Sequence, residues 1–142
     1  MFELFINMNL DNIRKILTQT DESIEELPSV EVEISDEARI RAFFKSVEFY
    51  NLLDDIYSRQ APKTYIKVRD KAKQIYFHRV IATLYEINVG NNLDLLEEII
   101  KDHGKAEVNF VFDYLFKYFI ELEWYEQCQD LKNFKEIVSS LY

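Results

Sequence analysis

The 142-residue chain contains only two glycines and two prolines. Sandwiches and barrels are full of tight turns, and tight turns draw on both residues. Their scarcity argues for helices. Cys128 is the only cysteine, which excludes an intramolecular disulfide and with it a small secreted, stapled fold. Histidine occurs only at His78 and His103, and no His-x-x-x-His, His-Glu-x-x-His or Cys-x-x-Cys spacing is present. The usual zinc ligand sets are therefore missing. Glycine stands only at Gly90 and Gly104, too little for a Gly-rich phosphate loop, and there is no Gly-x-Ser-x-Gly elbow. No catalytic residue, metal or cofactor is expected on these grounds. The longest apolar stretch, Val108 to Ile120, is broken by Asn109, Asp113 and Lys117. It falls well short of the roughly 20 residues that cross a membrane. The first residues, Met1 to Asn7, lack the basic start of a signal peptide. The expectation is a soluble, cytoplasmic protein with no membrane contact.

Basic charge is also in short supply. Lys and Arg number 17 against 26 Asp and Glu, giving a net charge of −9. Such a surface repels nucleic acid and anionic lipid at long range and steers basic partners inward. What the chain does have is core material. Apolar residues make up 48% and aromatics 15%, with 11 Phe and 9 Tyr. A single domain of this length buries roughly 68–70% of its unfolded surface, so neither metal nor disulfide is needed to hold it. Phe, Tyr, Ile, Asn and Lys are plentiful while Ala and Arg are few, the bias of an AT-rich genome. An AT-rich bacterium, its phage or a mobile element would all fit.

Along the chain there is no internal repeat, low-complexity tract or linker, so residues 1–142 read as one helical domain. Phe2, Phe5, Ile6, Leu10, Ile13, Ile16 and Leu17 recur at helical spacing and predict a helix from Phe2 to Gln19. The competing reading makes Phe2–Met8 a strand. Residues 20–29 are acidic, polar and loop-like. Val30-Glu31-Val32-Glu33-Ile34 alternates strictly, as a half-buried strand does, or forms an extended connector lying on the helices. Ser35 then caps a long helix to about Arg59, with the stripe Ile40, Phe43, Phe44, Val47, Tyr50, Leu53 and Tyr57. Pro62 marks a break, and a helix follows from about Lys63 to Asn88. Gly90-Asn91-Asn92 is a turn.

Further helices are expected at Leu93–His103, Glu107–Glu121 and Trp124–Leu141. Gly104 sits at the C-terminal position that favours positive φ. The stretch 107–121 is apolar nearly all round, which predicts burial on most sides, either as the central helix or in an oligomer interface. The last helix has the stripe Leu131, Phe134, Ile137 and Leu141. The fold class is therefore all-α, an irregular bundle of five or six helices with one short extended segment near 30–34.

Charge segregation is the strongest local anomaly. Arg59, Lys63, Lys67, Arg69, Lys71, Lys73 and Arg79 crowd one segment, opposed there only by Asp70. Lys63, Lys67 and Lys71 share one helix face, and Tyr65, Tyr76 and Phe77 are interleaved. Phosphate contact and base stacking require such residues, but an acidic domain lacks a nucleic-acid binder's overall footprint. Local neutralisation by Asp54/Asp55 or Glu97/Glu98 is the competing expectation. Acid clusters at Glu22, Glu25 and Glu26, and at Asp94, Glu97, Glu98 and Asp102, suit solvated faces or a basic partner better than acid–base chemistry. His103 fits a C-terminal dipole partner, and Cys128, between Glu126 and Asp130, fits a small core residue.

The run Trp124-Tyr125-Glu126-Gln127-Cys128-Gln129-Asp130-Leu131-Lys132 resembles the second helix of the UVR helical hairpin, through which nucleotide-excision-repair subunits contact each other. The likeness covers about one helix. Cys128 and Gln129 replace that motif's small alanines, and no function is carried over from it.

Together these features predict a non-catalytic protein-binding module. Its profile fits an acidic inhibitor, an immunity protein or a phage-type antagonist covering a basic partner surface. The expected contacts are Glu22, Glu25, Glu26, Glu31 and Glu33, with Trp124 and Tyr125 as exposed aromatic anchors. The alternative is nucleic-acid binding through Arg59, Lys63, Lys67, Lys71 and Lys73. A homodimer is also expected, through helix 107–121 or strand 30–34.

Overall fold

A computed structural model describes residues 34–142. Five α-helices follow one another: α1 (Asp36–Gln60), α2 (Pro62–Tyr85), α3 (Leu93–His103), α4 (Lys105–Glu121) and α5 (Tyr125–Ser140). One 3-10 turn, Val89–Asn91, joins α2 to α3. No strand occurs among the described residues. The expected helix 2–19, and the extended segment apart from its last residue, lie outside them. Ile34 itself carries no regular structure.

Local chemistry sets the boundaries. Ser35 Oγ accepts the Ala38 backbone N–H at 3.2 Å, satisfying one of the orphan donors at the start of α1. Asp36 and Glu37 then lie in the first turn and Arg59 in the last, each on its favoured side of the dipole. Pro62 begins α2, where its missing N–H costs nothing. This helix ends at Tyr85, three residues before the sequence suggests, because the chain turns early at Glu86. Asn88 serves the next turn instead, its side chain accepting the Asn91 N–H. Gly104 adopts φ +84 with ψ 150, so α3 and α4 meet at one residue whose backbone few other side chains would tolerate.

The hub of the bundle is α1, which packs against α2, α3 and α4. α1 and α2 run antiparallel from Ala61: Tyr50 packs on Tyr76 and Phe77 at 5.5 and 5.0 Å between ring centres. The centre holds Phe43, Phe44, Phe112 and Phe134, with the Phe43–Phe134 rings edge-on at 5.3 Å. Such pairs contribute about 0.5–1.5 kcal/mol beyond their buried area. Ser46 is buried here without penalty, since its hydroxyl donates to the Phe43 carbonyl at 2.7 Å. The Tyr76 hydroxyl donates to the Ser46 carbonyl at 2.7 Å and pins α2 to α1.

Two expectations about packing change. The helix α4 is not buried on most sides. It buries Val108, Val111, Phe112, Leu115 and Phe119 on one face, while Phe110 and Ile120 are exposed on the other. The reason is position, for α4 lies on the flank of α1 rather than at the centre. In α5 the buried stripe is Leu131, Phe134 and Val138, and Ile137 turns outward. No described helix is long and apolar enough to cross a membrane.

Candidate functional surfaces

The basic segment divides into two faces. Inward, Arg69 meets Asp54 of α1 with Nε–Oδ1 and Nη2–Oδ2 distances of 2.8 and 2.5 Å, a two-pronged contact. The Tyr65 hydroxyl donates to the same carboxylate at 2.8 Å. Burial pushes the Asp54 carboxyl up, but these bonds outweigh it and hold the group below its ordinary range. Lys73 lies under three tyrosines, its Nζ 5.4 Å from the Tyr50 ring centre, 5.3 Å from Tyr114 and 4.4 Å from Tyr118. Its charge is taken up by ring faces rather than offered to solvent. At the end of α1, Arg59 pairs with Asp55 at 3.2 Å.

Outward, Lys63, Lys67 and Lys71 are exposed, and no ion pair among the described residues involves them. Of the five basic residues singled out for nucleic acid, Arg59 and Lys73 are thus engaged locally, and three lysines remain as a solvated ridge. The neutralising acids are those expected at 54 and 55. Glu97 pairs instead with Lys101 of its own helix at 3.3 Å.

A second surface lies where α4 turns into α5. The turn is a Schellman closure: Trp124 N–H donates to the Phe119 carbonyl at 2.9 Å and Glu123 N–H to the Ile120 carbonyl at 3.0 Å. Glu123 occupies the left-handed position, φ 60, that glycine usually fills. The turn carries Glu121, Glu123 and Glu126, with Asp130 one helical turn on. None of these four carboxylates forms an ion pair among the described residues. Tyr125 is 65% exposed and Tyr85, from the end of α2, is 62% exposed. The Tyr85 hydroxyl donates to the Asp130 carboxylate, and this bond, with the nearby Glu126 charge, pushes the phenol up to about 12.

Tyr125 is therefore the exposed aromatic that the sequence suggests, but Trp124 is not. Its ring is half-buried against Phe119 at 5.6 Å, with exposed His78 edge-on at 5.9 Å. The closure of the turn directs it back onto the core. The expected contacts Glu22, Glu25, Glu26, Glu31 and Glu33 lie outside the described residues. Tyr85, Glu121 and Glu123 were not singled out in the sequence. A tyrosine ending a helix and acids near a turn carry no distinguishing pattern until the fold sets them side by side.

His103 lies in the last turn of α3, as the sequence suggests, with its ring largely buried and tilted against Phe44 at 5.7 Å. Burial lowers its pKa against the pull of Glu107, whose carboxylate is 3.7 Å from Nδ1. Around it Arg41 bridges Glu37 and Asp102, and Lys45 bridges Glu48 and Glu107, all at 3.1–3.2 Å. Burial also raises the Cys128 thiol, an unreactive setting. Among the described residues no three His, Cys, Asp or Glu side chains are grouped to hold a metal ion. No protein-family model matches the chain, and no curated protein or solved structure matches it.

Proposed function

We propose that this chain is a non-catalytic protein-binding module of the acidic-inhibitor kind, and that its described contact surface is the corner formed by the end of α2 and the α4–α5 turn. One observation carries the reading: two tyrosines more than 60% exposed stand among four carboxylates, none of them ion-paired among the described residues. Exposed tyrosines supply contact area at small entropic cost, and unpaired acids steer a basic partner into register. Glu123 adds weight. A non-glycine residue with positive φ is held at a backbone cost of about 1 kcal/mol, and here that residue presents a carboxylate to solvent. The partner is thus another protein with a basic surface, met in the cytoplasm, as a lone, unpaired cysteine suits.

The test is capture of partners from lysate of the source organism by the tagged chain, with and without nuclease, read by mass spectrometry. Wild type is compared with a variant carrying Tyr125→Ala, Glu123→Gly and Glu126→Lys. The reading expects one dominant protein that survives nuclease and is lost with the variant. Glu123→Gly also isolates the backbone: alone, it is expected to raise the melting midpoint while weakening capture. Retention of every nuclease-resistant partner by the triple variant would refute the corner.

A second reading, nucleic-acid binding, keeps one observation in its favour, the solvated ridge of Lys63, Lys67 and Lys71. Three phosphate contacts release few counterions. Replacing all three by Gln should lower the salt slope of any binding by about 2.7, at about 0.9 per lysine.

A further inference from the structure

The outer face of α4 carries Phe110, Asp113, Lys117 and Ile120, spaced three, four and three residues apart and so aligned in one stripe. The stripe lies opposite the buried face of the helix. Phe110 is 56% exposed and Ile120 55% exposed, one at each end of the stripe. Its chemistry has a centre. Read from either end it runs apolar, charged, charged, apolar, and the two charges have opposite signs. A two-fold axis across the helix at the level of Leu115 carries position 110 onto 120 and position 113 onto 117.

We infer that α4 pairs with α4 of a second copy of this chain, antiparallel, about that axis. Phe110 packs on Ile120 of the partner subunit and Asp113 pairs with Lys117 of the partner subunit. Each contact occurs twice, as an isologous interface requires. The charges on the stripe are available for this. Lys117 has no ion pair among the described residues, and Asp113, paired with Lys135 at a long 4.0 Å, keeps its side chain 75% exposed. The four residues of the stripe carry no net charge between them, which favours self-pairing on a chain of net charge −9. The antiparallel arrangement also sets the two helix dipoles head to tail. A single pair of helices buries less than the roughly 800 Å² per partner of a standard interface, so the dimer is weak and depends on concentration. The inference does not rest on the acidic corner.

The test is sedimentation equilibrium of the full chain from low micromolar to millimolar concentration, on wild type, Asp113→Lys, Lys117→Asp, the double exchange and an equal mixture of the two single variants. Wild type is expected to dimerise. Each single variant sets like charges opposite each other twice and should weaken dimerisation by at least about tenfold. The double exchange restores opposite charges and should dimerise again. So should the mixture, because one chain then carries two acids and the other two bases. A gain on mixing cannot arise from misfolding. Wild type that stays monomeric throughout overturns the inference. Dimerisation unchanged in both single variants also overturns it, since another face would then be in use.

Discussion

The inner and outer faces of α2 began as one basic run in the sequence and meet opposite fates. On the side that faces α1, Arg69 and Lys73 are engaged, one by the two-pronged contact with Asp54 and the other by three tyrosine rings. Outside, Lys63, Lys67 and Lys71 stay in water without partners among the described residues. A cluster of like charge is therefore not one feature but two. Residues that share a segment act together only when they share a face, and here about half the apparent cationic surface belongs to the architecture.

The largest break in that comparison is Asp54→Ala. It strips a carboxylate that is only 17% exposed from Arg69 and Tyr65 together. Discounted for the exposed Arg69, the loss is expected to be about 2 kcal/mol, read as a lower urea midpoint at unchanged slope. The same group gives an acid limb. Its pKa is depressed in the fold, so its contribution is present above the ordinary value of 3.8 and drains away as pH falls through the lower folded value. Asp54→Asn should lack that limb in stability measured from pH 5 downwards. A smaller effect is expected from Lys73→Met, which keeps the stem but removes the charge from Tyr50, Tyr114 and Tyr118. The expected cost is about 1 kcal/mol, with a changed near-ultraviolet tyrosine signal. Smallest is the triple change of Lys63, Lys67 and Lys71 to Gln, which should leave the thermal midpoint where it was. A clear drop there would show that the outer face has hidden partners and would erase the distinction.

Much of the helical layout was legible because its signals are local. Ser35 with Asp36 and Glu37, Pro62, and Gly104 act within one turn of the backbone, and the helices begin and end close to them. The stripe of α1 was equally plain, for a hub helix needs a continuous apolar row. Misreadings arose where the outcome depends on neighbours. Apolar content on both sides of α4 does not reveal which side another helix covers. Ile137 and Val138 are adjacent and alike, and only the direction of approach decides which is buried. Trp124 was expected to be an exposed aromatic like its neighbour Tyr125, yet the Schellman closure folds its ring against Phe119. The corner of Tyr85, Tyr125 and the four carboxylates is drawn from three elements. No window of sequence contains it.

The position of α1 has a further consequence, for time rather than space. Of the five described helices it is made first, and α2, α3 and α4 each pack directly on it. At roughly 5–20 residues per second, each later helix leaves the ribosome to find its docking surface already synthesised. No described element must wait for a partner encoded downstream before its hub exists. Assembly can thus follow the order of translation, with apolar surface covered stepwise as the chain grows.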